Sequence, residues 1–356
     1  MSYISIQSFS RDSILKQRES IGKADPALLE KTIYSLELIA QLSLLELDFV
    51  FKGGTSLLLL DHEFRRLSID ADIITEASPE TLNSIFDLLV EQSPFIHWDE
   101  QERGKSTVPK HHYRFFFEST INSREDYVLL DVLRDKVPHP DIVPLEVTHP
   151  FIEVEKPVNV TVPSLENIIA DKLIAFAPET TGIPFDKGKS LQIVKQLFDL
   201  GELTLYDLNL NKILRAYEVI TLQEISYKND SITLDDILLD TLTTAHLVCQ
   251  IDLRNAVEDE RTAEIRLGLK QIAGYLADER LSHANAKVAA SRIALLATII
   301  RNRITDIEWK KLRYTRGKEE TVADVTLPKP YHLLNRLRKG LPESFYYWAK
   351  LIKYTS

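Results

Sequence analysis

The pattern of apolar and polar residues changes character near the middle of the chain. Up to Pro163, short segments with a period of two alternate with amphipathic helical patterns, whereas helical patterns dominate from Ser164 onward. Six prolines lie between Pro138 and Pro163, so this segment predicts a connecting loop and an edge strand rather than a helix. Because a single hydrophobic core seldom grows to 356 residues, we predict two domains, 1–163 and 164–356.

The first half predicts strands and helices around one glycine turn. Asp25 followed by Pro26 is typical of a helix N-cap and first helical residue, and the helical spacing continues to about Leu47. A second amphipathic helix is predicted from Pro79 to Gln92. Strands are predicted for FVFKGG, LSIDADIIT, YRFFFEST and DYVLLDVLRD, the last two as a hairpin, and a helix is predicted for TSLLLLDHEF.

The second half predicts packed helices. The segments SLENIIADKLIAFA and SLQIVKQLFDLG have helical spacing, and Gly201 fits the position just after the second helix ends. The apolar periodicity between residues 245 and 302 predicts two or three further helices.

Composition is that of an ordinary globular protein. Apolar residues make up 44% of the chain, and no apolar run approaches the roughly 18 residues that a membrane-spanning helix needs. The single cysteine, Cys249, lies in the apolar stretch TTAHLVCQI, so we expect a core residue and no intrachain disulfide. We therefore expect a cytoplasmic protein in a reducing compartment, without a membrane partner.

Charge is distributed unevenly along the chain. The formal net charge is −10, but the segment from Arg301 to the end carries 13 Lys and Arg against 6 Asp and Glu, which leaves 30 against 47 for the first 300 residues. Two interpretations of this basic segment remain open: contact with RNA, or an amphipathic helical cap whose aromatic side chains face the core. The aromatic residues concerned are Trp309, Tyr314, Tyr331, Tyr346, Tyr347, Trp348 and Tyr354.

The segment LSIDADI places polar residues on one face of a predicted strand. Side chains at positions i and i+2 point the same way, so Ser68, Asp70 and Asp72 share a face. Two carboxylates held this close repel each other, and a divalent cation with phosphate oxygens makes the arrangement favourable. The alternative is an edge strand with a solvated acidic face.

A glycine turn precedes this strand. Gly53 and Gly54 allow a positive φ and a close approach of the backbone, and they precede a helix whose first N–H groups can bind phosphate. Thr55 adds a hydroxyl group at the same place. The combined pattern predicts phosphates at the turn and a metal at the carboxylates.

The segment KGGTSLLLLDHEFRRLSIDADI resembles the signature of the AbiEii/AbiGii toxin family, within the DNA polymerase beta-like nucleotidyltransferase superfamily. The resemblance implies an α+β fold, in which a mixed sheet flanked by helices is followed by a mainly helical C-terminal domain that completes the active site. It also implies a third carboxylate on a neighbouring strand. Asp131 is the best candidate, with Asp135 and Glu118 as alternatives.

Two helical segments also match the family pattern. The resemblance implies that Lys172 and Lys195 bind the nucleotide and neutralise the leaving pyrophosphate, and that Asp199 orients a lysine or the acceptor. Without it, Lys172 reaches the surface or pairs with a local carboxylate, and Lys195 with Asp199 makes an exposed ion pair. The sequence departs from the family between these segments, where PETTGIPFDKGKS offers only Lys187 and Lys189 in place of an arginine.

The resemblance implies transfer of a nucleoside monophosphate from an NTP by two Mg²⁺ or Mn²⁺ ions. Asp70, Asp72 and Asp131 would hold the metals, while Gly53, Gly54, Thr55 and Ser68 would grip the phosphates. The protein would be the toxin of a toxin–antitoxin or abortive phage-infection system, with a cognate antitoxin and an RNA acceptor, typically the 3′ end of tRNA. Two alternatives stay open: a protein as acceptor, and a regulator that binds GTP or another NTP without turnover.

Other chemistries lack a supporting pattern. The chain contains no H-E-x-x-H, no paired C-x-x-C, no G-x-x-x-x-G-K-[ST], no G-x-G-x-x-G and no G-x-S-x-G motif. His111 and His112 precede a predicted strand, and we expect them in a polar loop.

Overall fold

The chain folds into two compact units, which are described separately. The first comprises Met1–Ser164 together with Gly274–Glu279, and the second comprises Leu165–Ala273 together with Arg280–Ser356. Sequence patterning did not indicate the short return of the chain to the first unit. The computed structural model describes residues 3–22, 24–61, 63, 66–101, 108–228, 231–256, 258–277 and 281–355.

The first unit contains a mixed sheet of seven strands flanked by helices. In space the strands follow the order β3-β4-β5-β2-β1-β7-β6, with β2 parallel to β5, β1 parallel to β7, and the other neighbours antiparallel. The strands are β1 (Val50–Lys52), β2 (Ala71–Ile74), β3 (His97–Glu100), β4 (Lys110–Ser119), β5 (Arg124–Leu133), β6 (Ile142–Glu146) and β7 (Asn159–Pro163). The helices are α1 (Arg11–Ser20), α2 (Pro26–Leu44), α3 (Gly53–Leu60) and α4 (Pro79–Gln92).

The local signals of the first unit are largely confirmed. The Asp25 carboxylate accepts a hydrogen bond from Ala27 N at 2.8 Å and caps α2. The β4–β5 hairpin forms as predicted, and β6, which contains Pro144, is an edge strand. Within the predicted helix TSLLLLDHEF, His62 and Phe64 lie outside the described residues.

Two expectations for the first unit are wrong. The strand that carries Asp72 lies between β1 and β5 inside the sheet, so it is not an edge strand. His111 and His112 lie in β4 rather than in a loop, because β4 begins at Lys110 and pairs with β5 along its whole length. Sequence patterning missed this extension because His and Lys carry no strong strand preference.

The second unit is helical. Its helices are α5 (Leu165–Ala175), α6 (Ser190–Leu203), α7 (Leu210–Ser226), α8 (Leu234–Gln250), α9 (Glu260–Gln271), α10 (His283–Arg301), α11 (Trp309–Leu312), α12 (Leu337–Gly340) and α13 (Pro342–Ile352). The predicted helices between residues 245 and 302 are confirmed as the end of α8 with α9 and α10. In the described part of both units, every helix is too short or too polar to cross a bilayer.

Gly201 does not end a helix, contrary to its predicted role. It lies within α6, where a Cβ atom would come 2.6 Å from the Cβ of Ala289 in α10. Its carbonyl accepts hydrogen bonds from Arg292 Nη2 at 2.9 Å and from Thr204 Oγ1 at 2.7 Å. The glycine therefore allows two helices to approach closely, which is a tertiary requirement that a local pattern does not reveal.

The aromatic residues of the basic segment mainly face the core. Trp309, Tyr346, Tyr347 and Trp348 are each at most 2% exposed. The indole of Trp348 donates to Sγ of Cys249 at 3.4 Å, and Cys249 is fully buried as predicted. Of the two interpretations of the basic segment, the structure supports the helical cap for these four side chains, so they are not available to stack on bases.

Candidate active site

The glycine turn joins β1 directly to α3. Gly53 has a φ of +80°, and a Cβ atom there would lie 2.2 Å from Oδ2 of Asp72. A Cβ at Gly54 would lie 2.5 Å from Nη2 of Arg66 and 2.8 Å from Oγ of Ser68. Only glycine fits at Gly53, and the close approach places the Asp72 carboxylate beside the N-terminal turn of α3.

Before β2, Arg66 forms a β-bridge with Leu276 and Leu67 N donates to the Tyr275 carbonyl at 2.8 Å, whereas residues 68–70 are held by side-chain hydroxyl groups. The strand was predicted from Leu67, but it begins at Ala71. The carbonyls of Ser68, Ile69 and Asp70 each accept a hydrogen bond from a hydroxyl group. The donors are Thr32 at 2.9 Å, Ser35 at 2.6 Å and Thr55 at 2.5 Å, respectively.

These three hydrogen bonds hold the backbone that carries two of the predicted site residues. They fix the backbone on which Ser68 and Asp70 stand, although no neighbouring strand pairs with it. The hydroxyl of the buried Thr55 donates a hydrogen bond to the Asp70 carbonyl. Thr55 thereby ties α3 to Asp70, and its predicted contact with phosphate stays a prediction.

Asp72 and Asp131 are direct neighbours across the sheet. In the parallel pair β2–β5, Asp72 lies opposite Asp131, and Lys52 of β1 lies opposite Asp72 on the other side. On the far side of β5, His112 of β4 lies opposite Asp131. Since opposite residues share a face, the four side chains form a polar row across four strands.

The register also distinguishes the three candidates for the third carboxylate. Asp135 lies beyond the end of β5, and Glu118 is opposite Glu125 at the other end of the hairpin. Asp131 is the one that the sheet places beside Asp72.

Lys110 and His112 surround the Asp131 carboxylate. Lys110 Nζ lies 2.6 Å from Oδ2 of Asp131 and 3.8 Å from Oδ1 of Asp72, and His112 Nδ1 lies 2.6 Å from Oδ1 of Asp131. Burial alone raises the pKa of Asp131, but the charge of Lys110 and the hydrogen bonds from Lys110 and His112 outweigh it. The net pKa of the Asp131 carboxyl lies below its ordinary value.

Asp70 is half-exposed, while Ala71 and Ile73 on either side of Asp72 are buried. Asp70 precedes β2, which begins at Ala71, so a shared face for the Asp70 and Asp72 side chains stays a prediction. Ser68, which was predicted on the same polar face, is buried. The Asp70 carboxylate also acts on Tyr275, whose pKa is raised first by burial and then by this charge.

Sequence reasoning missed three residues near the turn: Lys110, His112 and Arg66. Arg66 is 2% exposed, and its Nη1 donates to the carbonyl of Leu67 at 3.0 Å, with Nη2 against Gly54. The signal for Arg66 was its position two residues before Ser68. The other two required the register of β4 on β5, which the sequence does not show.

The second unit contains the remaining predicted site residues. Lys172 Nζ lies 2.7 Å from Oδ2 of Asp199, and both side chains are buried. Lys172 therefore neither reaches the surface nor stays without an anion. The interpretation of Lys195 and Asp199 as an exposed ion pair is wrong, because Asp199 is fully buried. Lys195 is half-buried.

The three predicted carboxylates of the first unit are suitable ligands for a divalent cation, and the sheet places two of them side by side. Asp72 and Asp131 offer neighbouring carboxylate oxygens, the ligands that Mg²⁺ and Mn²⁺ prefer. Across the described residues, however, no three His, Cys, Asp or Glu side chains form a group that could hold a metal ion. A site of three carboxylates that includes Asp70 stays a prediction.

A comparison with known families decides the assignment. The family model described as "Nucleotidyl transferase AbiEii toxin, Type IV TA system" matches residues 37–289, which is more than half of the chain. The chain belongs to the AbiEii family. As an AbiEii protein it is a nucleotidyltransferase, and the predicted α+β class, with a mixed sheet, flanking helices and a helical C-terminal region, is confirmed.

Solved structures similar to this AbiEii protein share little sequence with it. JHP933 from Helicobacter pylori is 15% identical, with a TM-score of 0.45, over 79% of this chain and 95% of that one. A second H. pylori structure is 16% identical, with a TM-score of 0.44, over 80% and 96%. An antigenic nucleotidyltransferase-like protein from Paracoccidioides brasiliensis is 12% identical, with a TM-score of 0.36, over 55% and 89%. No curated protein sequence matches the chain.

Proposed function

We propose that this AbiEii protein is a toxin that transfers a nucleoside monophosphate from an NTP to an RNA acceptor, the 3′ end of tRNA. One observation carries the proposal: the Asp72 carboxylate lies beside Asp131 on a parallel strand and against Gly53 at the start of α3. Carboxylates and a backbone anion site are thus adjacent, as a metal-bound triphosphate requires.

In this proposal the oxygen of the terminal RNA hydroxyl attacks the α-phosphorus. A new P–O bond forms, the bond to the β-phosphate breaks, pyrophosphate leaves, and the proton of the attacking hydroxyl passes to solvent water. Asp70, Asp72 and Asp131 would hold Mg²⁺ or Mn²⁺, which when bound would supply positive charge to stabilise the attacking and leaving oxygens. The N–H groups at the start of α3, with Gly53, Gly54 and Ser68, hold the β- and γ-phosphates.

The other residues of this chain have supporting roles. Lys110 and His112 fix the orientation of the Asp131 carboxylate, since each bonds a different oxygen of it. For the second unit, we propose that Lys172 and Lys195 neutralise charge on the leaving pyrophosphate and that Asp199 orients Lys172. The substrates, NTP and tRNA, imply a cytoplasmic reaction.

The family description places the protein in a type IV toxin–antitoxin system. We propose a cognate antitoxin as its partner, abortive phage infection as its setting, and blocked translation as its effect, since a capped tRNA 3′ end cannot accept an amino acid.

Two alternatives make different predictions. If a protein hydroxyl is the acceptor, the label from the NTP enters protein instead of RNA. If the chain binds GTP or another NTP without turnover, nothing is labelled. The presence of Asp70, Asp72 and Asp131 together favours turnover, because binding alone has no need of all three.

The experiment incubates the protein with Mg²⁺, each α-labelled NTP in turn, and either total tRNA or cell lysate. We expect label in tRNA, and its loss in Asp70→Ala and Asp131→Ala. Asp135→Ala is the matched control, since this carboxylate lies beyond the end of β5 and should leave labelling intact. If Asp70→Ala labels tRNA as well as the wild type does, the proposed mechanism is wrong. If the label enters protein instead of tRNA, the acceptor is a protein hydroxyl.

A further inference from the structure

The C-terminal part of the second unit contains cations that bond to neutral carbonyls. Arg313 Nη1 donates to the carbonyl of Leu205. Lys318 Nζ donates to the carbonyls of Lys311 at 3.0 Å and of Arg313 at 2.7 Å. A carbonyl satisfies the donor without cancelling its charge, so both half-buried side chains keep a net positive charge.

Lys350 of α13 and Lys353, the residue that caps the end of this helix, join this group. Lys350 Nζ lies 5.3 Å from the centre of the Tyr346 ring, and Lys353 follows three residues later on the same side of the helix end. The Tyr346 ring contacts Tyr314 at 5.5 Å, between Arg313 and Lys318 in sequence. Burial, followed by repulsion from Lys353 and Lys318, lowers the pKa of Lys350, which agrees with three close ammonium groups.

Glu319 is the acidic residue next to this group in the sequence, and its carboxylate accepts hydrogen bonds from the Tyr314 hydroxyl and from Gly317 N, both at 2.7 Å. Among the described residues, Arg313, Lys318, Lys350 and Lys353 form no ion pair. By contrast, Lys310 and Lys311 lie 3.3 Å and 2.5 Å from oxygens of Glu308. The four unpaired cations are therefore a site of concentrated positive potential, in a chain whose first 300 residues carry an excess of 17 acidic groups.

We propose that Arg313, Lys318, Lys350 and Lys353 form a basic surface that binds the phosphate backbone of the RNA acceptor. This inference rests on the proposed function for the choice of RNA. Trp309, Tyr346, Tyr347 and Trp348 are buried and cannot stack on bases, so the surface recognises RNA mainly by its charge. The same burial removes the exposed Trp and Phe that an interfacial membrane helix uses.

The test measures binding of the full-length protein to fluorescein-labelled tRNA by fluorescence anisotropy, without NTP, from 50 to 300 mM KCl. The variant Lys318→Gln/Lys350→Gln/Lys353→Gln should weaken binding at least about tenfold at 100 mM KCl. It should also reduce the slope of log K against log[KCl] by about 2 to 3, or about one for each phosphate group that the variant no longer binds. The matched control Lys310→Gln/Lys311→Gln, whose charges already pair with Glu308, should change neither quantity by more than a small fraction.

Two further variants separate charge from folding. Lys318 also ties two carbonyls, so Lys350→Gln/Lys353→Gln is measured beside the triple variant, and it should retain most of the effect. Replacing the three lysines by arginine should preserve binding. If the salt dependence of tRNA binding is unchanged in the triple variant, or if the control loses as much tRNA affinity as the triple variant, the proposed RNA-binding surface is wrong. A membrane is the partner instead if the wild type binds vesicles of 30% phosphatidylserine, the triple variant does not, and both bind tRNA equally well.

The design distinguishes this inference from the proposed function. If tRNA binds through the basic surface but receives no label from any NTP, the proposed surface is confirmed and the proposed transfer reaction is wrong. If tRNA is labelled equally well by the triple variant at subsaturating tRNA, the reaction stands and the surface fails.

Discussion

Replacing Gly53 by alanine tests the geometry on which the active site depends. The φ of +80° costs an L-residue with a Cβ about 1–2 kcal/mol. The new methyl group would also lie 2.2 Å from Oδ2, 2.9 Å from Cγ and 3.0 Å from Cβ of Asp72. Because the Cβ of Asp72 is included, rotation of the carboxylate alone does not remove the clash.

The expected loss follows from these distances. Ordinary contact begins at 3.4 Å, so the carboxylate oxygen must retreat by about 1 Å. A displacement of about 1 Å in a positioned group costs on the order of 100-fold in rate. We therefore expect kcat/KM for tRNA labelling to fall about 100-fold, which corresponds to about 2.7 kcal/mol.

Gly188→Ala is the matched control. Gly188 has a φ of +65°, and nothing lies within 4 Å of its Cβ position. Gly188→Ala should lose about 1–2 kcal/mol of folding free energy in urea titrations, and Gly53→Ala should lose more, because its clash with Asp72 adds to the same φ cost. Only Gly53→Ala should lose activity beyond a few-fold. An equal loss of activity in the two variants would refute the idea that Asp72 must lie against the turn.

Three further predictions concern the second unit. Lys172→Met should destabilise the fold by about 3–5 kcal/mol in urea titrations, because it removes the ammonium group that lies 2.7 Å from the buried Asp199 carboxylate, and adding Asp199→Leu should restore most of that stability. A Lys172→Met variant as stable as the wild type would contradict the importance of this pair. Gly201→Ala should cost about 1–3 kcal/mol through its 2.6 Å contact with α10, whereas Gly340→Ala, with open space around it, should not destabilise comparably. Burial first, and then His332, lowers the pKa of His246 from 6.5 to about 4. The unfolded chain therefore binds a proton that the folded chain rejects, so stability should rise by about 3 kcal/mol from pH 4 to 6.5 through this group. His246→Phe should reduce that rise in thermal unfolding, and an identical pH profile would refute the assignment.

Local patterns in the sequence determined much of the scaffold. Asp25 before Pro26 set the start of α2, and the alternation in β2 correctly placed Ala71 and Ile73 in the core on either side of the half-buried Asp72. Such features depend on backbone preferences and on which side chains avoid water, and both act over a few residues.

The tertiary structure decided which chemical groups meet. The register of β2, β5 and β4 placed Asp131 beside Asp72 and brought His112 and Lys110 to Asp131. Likewise, Gly201 lies inside a helix because another helix passes close to it. A sequence pattern with period two gives the face of each side chain but not its partner across the sheet. That partner is fixed by hydrogen bonds between strands distant in the chain, and these form only when the whole core packs.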